Sequence, residues 1–205
     1  MSTRGPRGPY AKSAAKRQQI IEAALAAYAE AGSRGVSVRE IAERVGMTDA
    51  GVLHHFGGRE ALLTAVLEAR DVAAAERHGE EGTLWRPELL AENVATPGLV
   101  KLFVDLAAAA AEPGHPAHAY FTERYATLRE RVARALTEGR PDGGAEPPAR
   151  PDVDADWAAR VLLAATDGLQ LQWLLDPSVD MAADLLRLRD VVLGALDDAG
   201  SRGDN

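Results

Sequence analysis

Thr48, Asp49, Gly51, Leu53 and His54 place a hydroxyl, a carboxylate and an imidazole within seven positions, with a glycine among them. That set suits hydrogen bonding to base edges better than bond breaking. In the major groove a hydroxyl serves several bases and a carboxylate accepts from a cytosine amine, whereas a phosphate repels it. Thr48 and Asp49 are equally suited to capping a helix, so each has a structural alternative. Such residues need an element that holds them outward. Residues 38–56, VREIAERVGMTDAGVLHHF, read as two short helices joined by a tight turn. Val38, Ile41, Ala42 and Val45 have helical spacing, and small Ala42 leaves room for a second helix to cross. Gly46 follows the first helix, where a left-handed residue is wanted. In the second helix Val52 turns inward and the small residues Ala50 and Gly51 make a narrow nose. A rigid pair of this kind is built to enter a major groove.

Phosphate contact is a separate task. Ser37, Arg39 and Arg59 are candidates for it. Arg4, Arg7, Lys12, Lys16 and Arg17 precede the first acidic residue, Glu22, and of these Lys12, Lys16 and Arg17 form either an arm to the DNA backbone or minor groove or a solvated basic tail. His55 reads as a packing residue. Net charge is −8 overall, which argues against a nucleic-acid partner until its distribution is read. Through residue 60 there are nine Lys/Arg and six Asp/Glu, and the acidic excess lies in the rest. A mildly basic head on an acidic body fits one-ended DNA binding with weak non-specific affinity.

Other chemistries find little support. The chain has 205 residues, 46% hydrophobic, and no cysteine, so disulfide and cysteine-metal chemistry are excluded and a cytoplasmic location is expected. There is no apolar run of membrane-spanning length and no apolar leader. No phosphate-binding glycine loop, G-x-S-x-G or H-E-x-x-H occurs, so neither an enzyme nor a cofactor is expected. His115 and His118 flank Pro116, a poor place for a shared metal. Asp152, Asp154 and Asp156 lack the glycine and distal glutamate of a calcium loop and read as a helix N-terminus.

The elements are helical throughout. The first helix is expected over residues 13–31, with Ile20, Ile21, Ala24, Leu25 and Tyr28 inward and Gly32 ending it. Ser37 caps the second, with Glu40 placed to complete a capping box. A fourth helix runs from about residue 58 to 78, with Leu62, Leu63, Val66 and Leu67 inward. Residues 79–97 read as loop with a short turn of helix, and a fifth helix follows over residues 98–111. A long helix is expected over residues 117–138, then a Pro/Gly-rich mobile loop over residues 139–151. Two helices finish the chain, over residues 154–175 and 181–196, with a frayed tail after Asp198. On the first of these, Trp157, Val161, Ala165, Leu169 and Trp173 form an i, i+4 stripe, and Leu162, Leu163, Thr166, Gln170 and Leu174 make a second apolar flank. Gly168 allows a close crossing. With Leu185, Leu188 and Val192 on the last helix, this pattern predicts a homodimer closed by a four-helix bundle, the alternative being a central core helix in a monomer.

Taken together, residues 20–66 resemble the tetracycline-repressor (TetR) family of bacterial regulators. IIEAALAAYAEAG, SVREIAERVGMTDAGVLHHF and the G-R-E-A-L-L helix entry carry the likeness, and DGLQLQWLLDP at residues 167–177 is similar to the penultimate helix of many members. The resemblance implies an all-α chain. Its N-terminal three-helix helix-turn-helix DNA-binding domain would span residues 1–60, and its C-terminal ligand-binding and dimerisation domain residues 61–205. It further implies a repressor released from a palindromic duplex operator by a small-molecule effector of unknown identity. An activator, a regulator answering a protein, and a helical ligand-binding protein that no longer meets DNA stay open as alternatives. Phe103, Phe121, Tyr125, Thr166 and Gln170 lie on the helices that line the family's pocket. Leu53 departs from the pattern: members usually carry a tyrosine there, whose hydroxyl meets a phosphate. Arg59 stands where a lysine often touches the backbone, and Phe56 matches an aromatic that packs under the recognition helix.

Overall fold

The computed structural model describes residues 9–32, 34–79, 87–138 and 154–201. Nine helices occur among them: α1 Pro9–Glu30, α2 Val38–Arg44, α3 Asp49–His54, α4 Arg59–His78, α5 Pro87–Ala95, α6 Pro97–Ala109, α7 His118–Glu138, α8 Ala155–Leu175 and α9 Met181–Ser201. No strand is present among the described residues. No helix there is long and apolar enough to cross a membrane. Arg4, Arg7, the expected loop over residues 139–151 and Asp152 lie outside the described residues.

Three helices begin on a proline: α1 on Pro9, α5 on Pro87 and α6 on Pro97. Proline has no N–H to lose in a first turn, and its fixed φ already suits a helix. This explains two corrections. α1 starts at Pro9 rather than near residue 13. The segment expected as loop with a short turn of helix over residues 79–97 holds the nine-residue α5, whose Leu90 and Asn93 are buried. At the other end, α9 continues to Ser201, past its expected end at residue 196.

The chain forms two compact units, and neither is one stretch of sequence. The first comprises residues 1–72 and 96–118, the second residues 73–95 and 119–205. The boundary expected after residue 60 would fall near the start of α4, which begins in the first unit and ends in the second.

In the first unit α1 packs on α2 and α6, and α2 packs on α3. Ile20, Ala24, Tyr28, Ile41, Ala42, Val52, Leu62 and Val66 are buried, the inward set expected from helical spacing. Leu25, Val38 and Val45 are only half-buried. Gly98, on the first turn of α6, sits directly against the end of α1. A β-carbon there would lie 2.3 Å from the Tyr28 carbonyl oxygen and 2.7 Å from that of Gly32. Glycine therefore sets how closely the two helices approach.

In the second unit α8 packs on α9 and α5 on α9. Val132 and Leu136 of α7, Ala158, Ala159 and Leu162 of α8, and Val192 and Leu196 of α9 form one buried cluster.

Candidate nucleic-acid interface

The α2–α3 pair is held by its caps. Ser37 Oγ accepts from the Glu40 amide at 3.1 Å and starts α2. The expected capping box is half-formed, because the Glu40 carboxylate takes both terminal nitrogens of Arg34, at 3.1 and 3.2 Å, instead of reaching back to Ser37. At the far end Gly46 adopts φ +65°. The Gly46 amide donates to the Glu43 carbonyl and the Met47 amide to that of Ala42. These two bonds define a Schellman turn, which closes α2 and aims the chain at α3. Thr48 Oγ1 then accepts from the Gly51 amide at 3.1 Å, leaving its hydroxyl hydrogen available.

α3 presents Thr48, Asp49, Ala50 and His54 to solvent, with Val52 fully buried beneath. Leu53 and Gly51 are half-buried. The space where a Gly51 side chain would project is filled by Thr48 Oγ1 at 3.2 Å and Met47 Cε at 3.3 Å, so this glycine serves the turn as well as the surface. His55 caps the C-terminus of α3, and Phe56 is buried behind it.

The candidate phosphate contacts are differently placed. Lys12 is exposed and Lys16 half-buried on α1. Arg39 is exposed but bonded to Glu43 at 2.9 Å. Hydrogen bonding and charge from Glu43, with Asp49 adding its field, push its guanidinium pKa further up. Arg59 is exposed at the entry to α4, 3.4 Å from Glu60. Arg17 is engaged within the chain: its Nη1 donates to the His55 carbonyl at 2.6 Å, and its guanidinium lies 4.2 Å from the centre of the Phe56 ring. An ion network of Arg34, Glu40, Arg44 and Glu30 ties α2 to the end of α1.

The residues expected to line an effector pocket fall in both units. Phe103 is buried in the first; Phe121, Tyr125, Thr166 and Gln170 belong to the second. Thr166 Oγ1 donates to the Leu162 carbonyl at 2.8 Å. Gln170 is buried with its Oε1 unpartnered among the described residues. Sequence reading missed Asp167, which accepts a 2.6 Å hydrogen bond from the Tyr125 hydroxyl. Burial raises the Asp167 pKa, against the opposing effects of that bond and of Arg124. An acid on an otherwise apolar helix stretch was the available signal.

The stripe expected at a dimer interface is only partly exposed in the single chain. Trp173, Leu185 and Val192 are buried within their own chain. A strict i+4 series advances about 40° per step around a helix, so over four steps it winds from one face nearly to the opposite one. The stripe accordingly starts on exposed Trp157, 42% accessible, and ends on Trp173, 9% accessible. Val161, Ala165, Gly168, Leu169 and Leu188 are half-buried. The solvent face of α8 instead follows alternating four- and three-residue steps through Trp157, Val161, Ala164, Gly168, Leu171 and Leu175. Leu171 is 45% and Leu175 78% accessible, and Val191 of α9 is 68% accessible.

A helix-turn-helix with an exposed second helix, joined to a larger helical unit, defines a DNA-binding regulator. Comparison with known proteins gives the family. Residues 20–66 match the model for bacterial regulatory proteins of the tetR family, and residues 85–199 match that for the C-terminal part of BetI-type transcriptional repressors. The chain belongs to the TetR family and is a DNA-binding transcriptional regulator. It is 29% identical over 196 residues to the HTH-type transcriptional regulator BetI 2 of Chromohalobacter salexigens, covering 88% of each chain. It is 36% identical over 93 residues to the repressor AcnR of Corynebacterium diphtheriae, covering 45% of this chain and 40% of that one. Among solved structures, Salmonella enterica GusR superposes with a TM-score of 0.58 at 22% identity, covering 93% of this chain and 98% of its own. NalD, the secondary repressor of the MexAB-OprM multidrug efflux pump in Pseudomonas aeruginosa, gives 0.54 at 21% identity, over 90% and 97%. At these identities the structural likeness establishes the fold.

Proposed function

We propose that the chain acts in the cytoplasm as a homodimeric repressor that docks two copies of α3 in successive major grooves of a palindromic operator. The observation that carries this reading is the α2–α3 pair, whose Schellman turn and Thr48 cap hold Asp49 and His54 outward on a helix with no bulky nose. Thr48, Asp49, Gly51, Leu53 and His54 face the bases. Ser37, Arg39, Arg59 and Lys16 stand at the phosphates. The exposed α8 stripe supports the dimer, because a monomer gains nothing by holding Leu171 and Leu175 in water. Two-fold symmetry then matches half-sites about 34–36 Å apart.

Effector binding belongs to the second unit, with Tyr125, Asp167 and Gln170 giving polar anchors to a small amphipathic molecule. α4 carries the signal. Its last turn is clamped to α5, since Glu92 accepts from Arg77 at 2.9 Å and pairs with His78 Nε2 at 2.9 Å. An effector that favours a different position of this end shifts α3 out of register with the second half-site. The shift is bounded by the effector's preference for the released state.

Selection of bound sequences from a random duplex library, at stated moderate salt, tests the proposal. An enriched palindrome with half-sites one turn apart is expected. Absence of enrichment from dimeric protein refolded free of ligand overturns it.

A further inference from the structure

Arg17 lies in a stretch of α1, residues 11–19, where no side chain is buried. Its guanidinium is nonetheless committed twice. The 2.6 Å bond to the His55 carbonyl serves an oxygen at the C-terminal end of α3, beyond the Val52 and Leu53 carbonyls that the turn amides already use. Carbonyls at a helix end lack intrahelical donors, and a cation placed there also meets the negative end of the helix. The second commitment is the face of Phe56, a ring buried in the same unit and one residue beyond that cap. A single planar side chain thus joins α1 to the last residue of the recognition element.

We propose that Arg17 is a positioning residue for DNA binding: it bolts the C-terminal end of α3 to α1 and fixes the recognition helix before DNA arrives. The inference rests on α3 being the element that enters the groove. α3 has six residues, too few to hold its own conformation, so its orientation depends on what grips its two ends. The Schellman turn and Thr48 grip the first end, and Arg17 grips the second. Both commitments hold the guanidinium against the end of α3 and the ring beyond it. Its contribution to affinity is therefore the fraction of molecules in which α3 is correctly set, since apparent affinity falls in proportion to that fraction.

The salt dependence of binding separates this role from direct contact. Loss of one phosphate contact lowers the slope of log affinity against log salt by about one. Loss of a positioning contact lowers affinity at every salt concentration and leaves the slope alone. With the duplex recovered by selection, R17A is expected to bind about tenfold more weakly at unchanged slope, with faster amide exchange at Phe56 and Gly57. R17K should fall between R17A and the parent, because lysine can donate to the His55 oxygen but has no plane to lay on the ring. A slope reduced by about one in R17A, or binding equal to the parent, overturns the proposal. Should R17A fail to fold, R17K decides alone: weaker binding at unchanged slope supports the proposal, and parental binding or a changed slope overturns it. A T48A/H54A variant tests the underlying reading separately, because full binding by that variant removes α3 from the interface whatever Arg17 does.

Discussion

Asp167 shows how one side chain couples chemistry to stability. Burial raises its pKa in the folded chain above the ordinary carboxylate value of about 3.9. The folded state therefore holds the proton more tightly than the unfolded state. The associated stability is fully present below the ordinary value and is lost as pH rises through the raised one. D167N, whose amide oxygen still accepts from Tyr125, should remove that fall and melt above the parent at neutral pH. Thermal melts from pH 4 to 8 check this, and parallel curves for the two proteins would contradict it. The residues legible from sequence were those whose partners are near in the chain. Ser37, Gly46 and Thr48 declare themselves because a cap and its amide lie within three or four residues. Asp167 and Tyr125 are 42 residues apart, and Arg17 and His55 are 38 apart, so no local pattern pairs them.

Among the elements, helix identity is largely legible, and the ends of α4, α7 and α8 fall within one residue of expectation, whereas the start of α1 and the end of α9 do not. Apolar spacing locates eight of the nine described helices because each packs one face, whereas residues 79–97 read as loop with only a short turn of helix where the nine-residue α5 stands. The contact of α6 with α1 could not be anticipated, since Gly98 looks like any other glycine until the Tyr28 and Gly32 carbonyls are seen beside it. Adding one methyl group there forces the two helices apart. G98A is expected to cost roughly 1–3 kcal/mol, as overpacking does elsewhere. For a chain of this size each kcal/mol lowers the melting point by roughly 2–4 °C, so calorimetry reads the effect directly. A melting point equal to the parent would mean that α6 moves away without penalty.

At the scale of the whole molecule, the exposed and buried faces of α8 make opposite forecasts. L171E/L175E changes residues that the single chain leaves in water, so the fold should persist while sedimentation reports a monomer and binding to a two-half-site operator weakens. W173A empties a buried position and should instead cost about 3–5 kcal/mol of folding stability. A dimer that survives the double variant would place the interface elsewhere. Charge separates along the chain as well, with the acidic excess lying beyond residue 60. That distribution leaves the basic residues of the first 60 as the main source of salt-sensitive attraction to DNA.

The interleaving of the two units has a consequence for how the chain is made. The first unit begins with residue 1 but is complete only when residue 118 is in place, because α6 and the turn after it belong to it. Between residues 72 and 118 the ribosome must supply α5, which belongs to the other unit. At about 5–20 residues per second, that interval lasts roughly 2–9 s. Until α6 is made, the nascent helix-turn-helix carries an uncovered seam along the end of α1, where Gly98 docks. The DNA-binding unit is thus finished only after α5 of the other unit has been made, and slow codons between residues 72 and 118 would prolong its exposure to chaperones and proteases.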